Sequence, residues 1–156
     1  MNNKEKLFKK ILVALDGSPY SNQVAKYGAD IALQYNAEIT LIYIVEIPKS
    51  VIPIPGMEID FSPEIELTGK LAKRIEEKAQ NLLNGYKKDM ESKGLDVKIR
   101  IENGDASDII LTIAENEGYD LIVIGNRGQG NIKRFILGSV SDKVSKHAHC
   151  PVLIVR

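Results

Sequence analysis

The sequence predicts a single α/β domain in which a mainly parallel, open five-stranded sheet is covered by helices on both faces. Four short, nearly continuous apolar runs predict strands that are buried on both sides, as the strands of parallel sheets are. These runs are "ILVAL" (11–15), "ITLIYIV" (39–45), "LIVIG" (121–125) and "VLIV" (152–155), and "LDVKIRIE" (95–102) adds a weaker, alternating one. A helical pattern lies between successive strands, so strand and helix alternate along the chain.

The first two helices are predicted from their start and stop residues and from apolar spacing. Ser18 and Pro19 predict the start of the first helix, because a serine hydroxyl can cap free amides and proline fits the first turn. The second helix follows an apolar stripe from Leu67 to Met90 and stops at Gly94. The residues predicted to mark the buried face of the first helix are Val24, Tyr27, Ile31 and Tyr35.

The third and fourth helices are predicted in the same way. Asp105 or Ser107 opens the third helix, and Gly118 stops it. The pair at 138–139, a glycine and a serine, opens the fourth helix, which ends before Pro151. The residues predicted to face inward are Ile109, Ile110, Ile113 and Ala114 in the third helix and Val140, Val144 and Ala148 in the fourth.

One segment does not fit the alternation of strands and helices. Residues 47–63 hold four of the six prolines and several apolar side chains, with too little periodicity for an element. Such an apolar segment can cover a pocket mouth or a partner subunit. It can also be a mobile connection that packs partly on its own domain.

The composition predicts one soluble domain, residues 1–156, and excludes several classes of protein. A chain of 156 residues with 44% hydrophobic and 27% charged residues can form one core. Its 21 acidic and 21 basic residues balance, which argues against a nucleic-acid-binding protein. Its apolar runs are too short for a membrane span or a secretory signal, and a single cysteine is compatible with a reducing compartment. We therefore expect a cytoplasmic protein.

The stretch "HAHC" (147–150) contains metal-binding residue types but does not predict a metal site. Zinc needs about four converging ligands, and the sequence has no second cluster of histidine and cysteine. A serine hydrolase is not predicted either, because the G-x-S-x-G pattern is absent. We therefore assign no catalytic residue and no protein metal centre.

The carboxyl ends of the first and fourth strands are the expected ligand site. In an open parallel sheet, ligands bind where the strand order reverses, which in the usual five-stranded orders is beside the first strand. Asp16 follows the first strand and "GNRGQG" (125–130) follows the fourth, so both would face one crevice if the fourth strand is the neighbour of the first across the reversal. The fourth helix would present its free amides and positive dipole end at 138–139. This pattern suits a phosphate chain, although glycines in such connections also serve turns alone.

Four charged residues near this crevice have two interpretations each. Arg127, Lys133 and Arg134 can reach phosphate oxygens, or they can simply be solvated. Asp16 can help to place a divalent cation between phosphates, or it can be a turn residue before the glycine and serine that follow. The residues themselves leave these alternatives open.

The glycine spacing resembles a known nucleotide-binding motif. Gly125, Gly128, Gly138 and Ser139 form G-x2-G-x9-G-[ST], which is similar to the motif of the ATP-binding branch of the universal stress protein family. The resemblance extends over nearly the whole chain and is weakest across 47–63. The stretches that carry it are "KKILVALDGSPYSNQVAKYGADIA", "ASDIILTIAENEGYDLIVIGNRG" and "LGSVSDKVSKHAHCPVLIVR". It implies the strand order 3-2-1-4-5, with the reversal between strands one and four.

The resemblance also implies how a nucleotide would lie. Val13 and Ala14 would line the adenine side, and the backbone of Ile44 would read the adenine edge. Asp16 would lie near the ribose and the phosphates. The implied ribose and phosphate contacts are Gly125, Asn126, Arg127, Gly128, Gly130 and Asn131 in the glycine loop and Gly138, Ser139, Val140 and Ser141 at the helix start. The sequence departs from the pattern at Ala14, where some relatives have proline.

Three functions are compatible with these observations. The first is an ATP-binding, stress-related regulatory protein, in which ATP, with Mg²⁺ or Mn²⁺ held mainly by the phosphates, biases conformation or assembly. The second is a slow ATPase or phosphotransferase that uses the same pocket, and the third is a nucleotide-free interaction module.

The last strand, 152–155, is expected at the sheet edge and has no charged residue, so we expect it to pair with its own copy in a homodimer, as the resemblance also implies.

Overall fold

The computed structural model describes residues 7–46, 63–126 and 137–156. The elements in these ranges are β1 (Lys10–Leu15), α1 (Ser21–Tyr35), β2 (Glu38–Val45), α2 (Pro63–Ser92), β3 (Val97–Asn103), α3 (Ala106–Asn116), β4 (Leu121–Gly125), α4 (Ser139–His147) and β5 (Val152–Val155). The five strands form one sheet in the order β3-β2-β1-β4-β5, and every neighbouring pair is parallel. The predicted fold class and strand order are confirmed.

The sheet separates two hydrophobic cores, because successive side chains of a strand point to opposite faces. In β1, Ile11, Val13 and Leu15 pack with α1 and α2, whereas Leu12 packs with α3 and α4. All four side chains are buried. Full burial of one such aliphatic side chain stabilises the fold by roughly 1.5–3 kcal/mol. Covering on both faces therefore explains why the predicted strands are continuous apolar runs.

Small residues form the buried face of α1. Tyr27 is 52% exposed, so the prediction that it marks this face is wrong. The buried residues are Ser21, Val24, Ala25, Gly28, Ala29 and Ala32. A Cβ atom on Gly28 would lie 2.6 Å from Cγ2 of Val13, which shows how closely α1 approaches β1. The helix also begins later than predicted, at Ser21 rather than at 18–19.

The helix α2 begins earlier than predicted, at Pro63. Proline is favoured at the first position of a helix because its missing N–H would have no partner there. Pro63 therefore belongs to the helix and not to the connecting segment, and residues 47–62 of that segment lie outside the described residues. The helix ends at Ser92, close to the predicted stop at Gly94, whose φ is +88°. Neither α2 nor any other helix in the described ranges is long and apolar enough to cross a membrane.

Asp105 caps α3, which begins at the carboxyl edge of the sheet. Its Oδ1 accepts hydrogen bonds from the hydroxyl of Ser107 at 2.6 Å and from the backbone N–H of Asp108 at 3.0 Å. These two bonds, the one from Ser107 above all, hold the pKa of Asp105 below its usual value. Of the two predicted start residues, Asp105 is therefore the cap. The helix stops before Gly118, which has a φ of +66°.

Candidate functional site

A cavity of about 490 Å³ opens at the carboxyl ends of β1, β2 and β4. This is the expected place for a ligand, because the strand order reverses between β1 and β4. The volume lies in the range of small-molecule sites, roughly 300–1,000 Å³. The described residues that line it are Ala14, Leu15, Asp16, Ser18, Val24, Ile42, Tyr43, Ile44, Val45, Glu46, Ile75, Ala106, Ile110, Ile124, Gly125, Gly138, Ser139, Val140 and Ser141.

One wall of the cavity is apolar. Ala14, Ile44 and Ile124 lie on the α3 and α4 side of three adjacent strands, and Ile110 of α3 lines the cavity within the same hydrophobic cluster. Ala14 and Ile44 remain partly exposed, whereas Ile110 and Ile124 are buried. Aliphatic side chains on neighbouring strands form a flat surface, so this wall suits the face of a planar ring.

Asp16 lies at the end of β1, where the chain turns toward α1. Its Oδ1 accepts hydrogen bonds from the backbone N–H of Ser18 at 2.9 Å and from the hydroxyl of Ser21 at 3.0 Å. Gly17, between them, has a φ of +73°, a conformation that favours glycine. Asp16 is thus the predicted turn residue and a cavity residue at once. Ser18 does not cap α1, because its buried hydroxyl has no hydrogen-bond partner.

Tyr43 lies on the α1 and α2 side of β2 and also reaches the cavity. Burial raises the pKa of the Tyr43 hydroxyl, and the negative charge of Asp16 raises it further. The two side chains therefore interact electrostatically, with the tyrosine neutral at physiological pH. The cavity thus extends over the ends of β1 and β2 to both faces of the sheet.

The start of α4 forms the polar wall of the cavity. The N–H of Gly138 donates to the carbonyl of Asn126 at 2.9 Å, and the hydroxyl of Ser141 lies 2.9 Å from the carbonyl of Gly138 and 3.2 Å from that of Asn126. The N–H of Gly138 and the hydroxyl of Ser141 therefore already have hydrogen-bond acceptors within the protein. The amides of the first turn, from Ser139 onward, have no acceptor inside the helix and lie at its positive dipole end. Ser139 is also exposed, so its hydroxyl can donate to an anion.

The structure brings most of the predicted site residues together. The predicted residues that line the cavity are Ala14, Asp16, Ile44, Gly125, Gly138, Ser139, Val140 and Ser141. Val13 does not, because its side chain points to the opposite face of β1 and is buried against α1. Asn126 is not among the lining residues either; its carbonyl accepts from Gly138, and its N–H donates to the carbonyl of Val155 at 2.7 Å. The residues that lie outside the described ranges are Arg127, Gly128, Gly130, Asn131, Lys133 and Arg134.

Sequence reasoning missed the contribution of α3 and of the last residues of β2. Ala106 and Ile110 line the cavity because α3, like α4, starts at the carboxyl edge of the sheet. Glu46 follows β2, and its Oε1 accepts a hydrogen bond from the N–H of Ala106 at 3.3 Å. The signal was present in the element order, since every strand-to-helix connection of a parallel sheet lies at this one edge.

The charged side chains in the described lining are Asp16 and Glu46, both acidic. No group of three or more histidine, cysteine, aspartate or glutamate residues that could hold a metal ion is found among residues 7–46, 63–126 and 137–156. A polyphosphate beside these carboxylates would need positive charge from a bound cation or from elsewhere in the chain.

The fold and sequence agree with one protein family. The model of the "Universal stress protein family" matches residues 7–156. Universal stress protein MJ0531 of Methanocaldococcus jannaschii is 35% identical over 156 residues, which are all of this chain and 86% of that protein. The solved structure of MJ0577 from the same organism is 30% identical, with a TM-score of 0.78 over 96% of each chain. The structure of UspA from Lactobacillus plantarum has a TM-score of 0.81 at 22% identity, covering 96% of this chain and 98% of that one. The chain therefore belongs to the universal stress protein family.

Proposed function

We propose that this protein binds an adenine nucleotide in the cavity at the ends of β1, β2 and β4. The proposed nucleotide is ATP, bound together with a divalent cation. In this proposal the bound nucleotide is a regulatory ligand that biases the conformation or assembly of the protein. The observation that carries the proposal is that one cavity joins a flat apolar wall to the amino end of α4. A nucleotide needs both surfaces, since its base is planar and its phosphates are anionic.

The first-turn amides of α4 are the proposed phosphate donors. Gly138 adopts an ordinary extended conformation, with φ −62° and ψ 151°. Gly138 is buried and lines the cavity, so in this proposal the missing side chain leaves room for an anion beside the helix start. The hydroxyl of Ser139 adds a further donor.

Universal stress proteins of the same fold support an adenine nucleotide as the ligand class. Solved structures in this family are complexes with cAMP, with dAMP and, in an Arabidopsis thaliana member, with AMP. All three ligands share adenine and one phosphate. In this chain the corresponding contacts would be the apolar wall around Ala14 and Ile44 and the start of α4.

A divalent cation fits the chemistry of the described residues when the ligand is ATP. The oxygen ligands that Mg²⁺ or Mn²⁺ prefer would come mainly from the phosphates and water, with the Asp16 carboxylate nearby. The cation would also offset the repulsion between the phosphates and the carboxylates of Asp16 and Glu46.

Calorimetric titration of the purified protein with AMP, cAMP and ATP, each with and without Mg²⁺, tests the proposed function. We expect saturable binding of AMP, and binding of ATP that strengthens when Mg²⁺ is added. Mass spectrometry of the small molecules that the protein retains through purification identifies the natural ligand. Absence of binding to every adenine nucleotide would refute the proposal, and steady release of ADP would favour a slow ATPase in the same cavity.

The proposed assembly is a homodimer through β5. This strand is an edge of the sheet and pairs with β4 on one side. The carbonyls of Pro151 and Val155 accept hydrogen bonds from Ile122 and Asn126, so the backbone groups of residues 151, 153 and 155 face β4. Those of Val152 and Ile154 therefore face outward, where a second copy can pair with them.

A proline scan of β5 tests the dimer. Ile154→Pro removes an outward N–H, so we expect a folded protein that sediments as a monomer. Leu153→Pro removes an N–H that faces β4, so we expect a loss of stability in the protomer itself. Sedimentation velocity at micromolar concentration measures the first effect, and thermal unfolding followed by circular dichroism measures the second. A wild-type protein that is monomeric at this concentration contradicts the proposed assembly.

A further inference from the structure

Ser21, the first residue of α1, connects the end of β1 to the helix. Its hydroxyl donates to Oδ1 of Asp16 at 3.0 Å and accepts from the N–H of Gly17 at 3.1 Å. A serine hydroxyl has a single proton, so the bond to Asp16 uses the whole donor capacity of Ser21. The side chain thus links the carboxylate and the backbone turn that follows it.

Ser21 is buried and does not itself line the cavity. Only 2% of its surface is exposed, whereas Asp16, which it bonds, is a lining residue. The hydroxyl therefore cannot touch a ligand and can act on one only through the carboxylate. Oδ1 also accepts from the N–H of Ser18 at 2.9 Å, so donors from Ser18 and Ser21 both restrain the rotation of the carboxylate.

We propose that Ser21 is a positioning residue of the nucleotide site, which holds the Asp16 carboxylate in the orientation that its ligand requires. The inference rests on the proposed function. Ser21→Ala removes one donor from Oδ1 of Asp16 and the acceptor of the Gly17 amide, so one of the bonds that hold the rotation of the carboxylate is lost. Because catalytic or binding groups lose effect when their orientation is free, nucleotide affinity falls although no contact with the ligand is lost.

The variant Ser107→Ala is a matched control. Ser107 is also a buried serine, 5% exposed, and its hydroxyl donates to an aspartate, Asp105, at 2.6 Å. Neither Ser107 nor Asp105 lines the cavity. Both alanine variants therefore lose one hydroxyl-to-carboxylate hydrogen bond at the start of a helix, but only one of these bonds holds a cavity residue.

A double-mutant cycle with Mg-ATP as the titrant, measured by calorimetry, tests the proposal. We expect Ser21→Ala to weaken affinity about 3- to 10-fold, the range of one hydrogen bond, and Ser107→Ala to leave affinity unchanged. In the Asp16→Ala background, Ser21→Ala should have no further effect, because the group through which it acts is gone. Ser21→Thr, which keeps the hydroxyl, should restore most of the affinity.

Three results would overturn the proposal. Equal affinity of Ser21→Ala and the wild type would do so, and so would effects of Ser21→Ala and Asp16→Ala that simply add. The third is an unchanged hydrogen-exchange rate of the Gly17 amide in ligand-free Ser21→Ala, since this amide should exchange faster once its acceptor is removed. If the wild type binds no adenine nucleotide, the proposed function fails as a whole, and this outcome is distinct from a wild type that binds while the cycle is additive.

Discussion

Replacing Ala14 with phenylalanine is expected to abolish nucleotide binding while the protein still folds. Ala14 is partly exposed on the apolar wall of the cavity, so a phenyl ring at this position occupies the space proposed for the base. We expect affinity for AMP and ATP to fall by at least about a hundredfold, which is roughly 2.7 kcal/mol. The fold should survive, because the ring enters an open cavity and not the packed core. Calorimetry measures the affinity, and thermal unfolding measures the stability.

The variant Ala72→Phe controls for the added ring. Ala72 is a partly exposed alanine of α2 that does not line the cavity. Its replacement should therefore leave nucleotide affinity near that of the wild type. If Ala14→Phe binds AMP as tightly as the wild type, the base does not lie against this wall, and the proposed site is wrong.

Replacing Gly28 with alanine should destabilise the protein by about 1–3 kcal/mol, the usual cost of overpacking a core. The added Cβ would lie 2.6 Å from Cγ2 of Val13. Val13 is fully buried in β1, and a valine in a strand has little rotamer freedom with which to move aside. Either α1 must move away from the sheet or Val13 must leave its rotamer. Urea denaturation followed by circular dichroism measures the change in the free energy of unfolding.

The variant Gly85→Ala is the matched control for this substitution. Gly85 is also a glycine inside a helix, but a Cβ there would meet no atom within 4 Å. Alanine has a higher helix propensity than glycine, so this variant should gain up to about 1 kcal/mol of stability. If Gly28→Ala were as stable as Gly85→Ala, the close contact between α1 and β1 would not exist in solution.

Strong local signals explain which predictions from sequence succeed. The runs at 121–125 and 152–155 coincide with β4 and β5, because continuous runs rich in β-branched residues predict strands. Residues 121–124 of β4 are buried as predicted, whereas residues 152–154 of β5 are only partly buried. Asp105 caps α3 and Gly118 follows its last turn, because caps and stops depend on a few neighbouring residues. The predicted start of α1 at 18–19 is wrong because it rests on residue types alone. Ser18 and Pro19 are typical of a helix start, but the backbone N–H of Ser18 donates to Asp16 in the turn that precedes the helix.

The sequence by itself determined the order of strands and helices, the parallel sheet and the edge at which a ligand would lie. These follow from periodicity and from turn residues, which act over a few positions of the chain. Only the tertiary structure decided that Val13 faces away from the cavity, that the Gly138 amide is bonded to Asn126, and that Ala106 forms part of the wall. Alternation along β1 puts Val13 and Ala14 on opposite faces, but which of the two lines the cavity depends on where the helices pack. The other two features depend on contacts between groups that are far apart in the chain, which local sequence patterns do not specify.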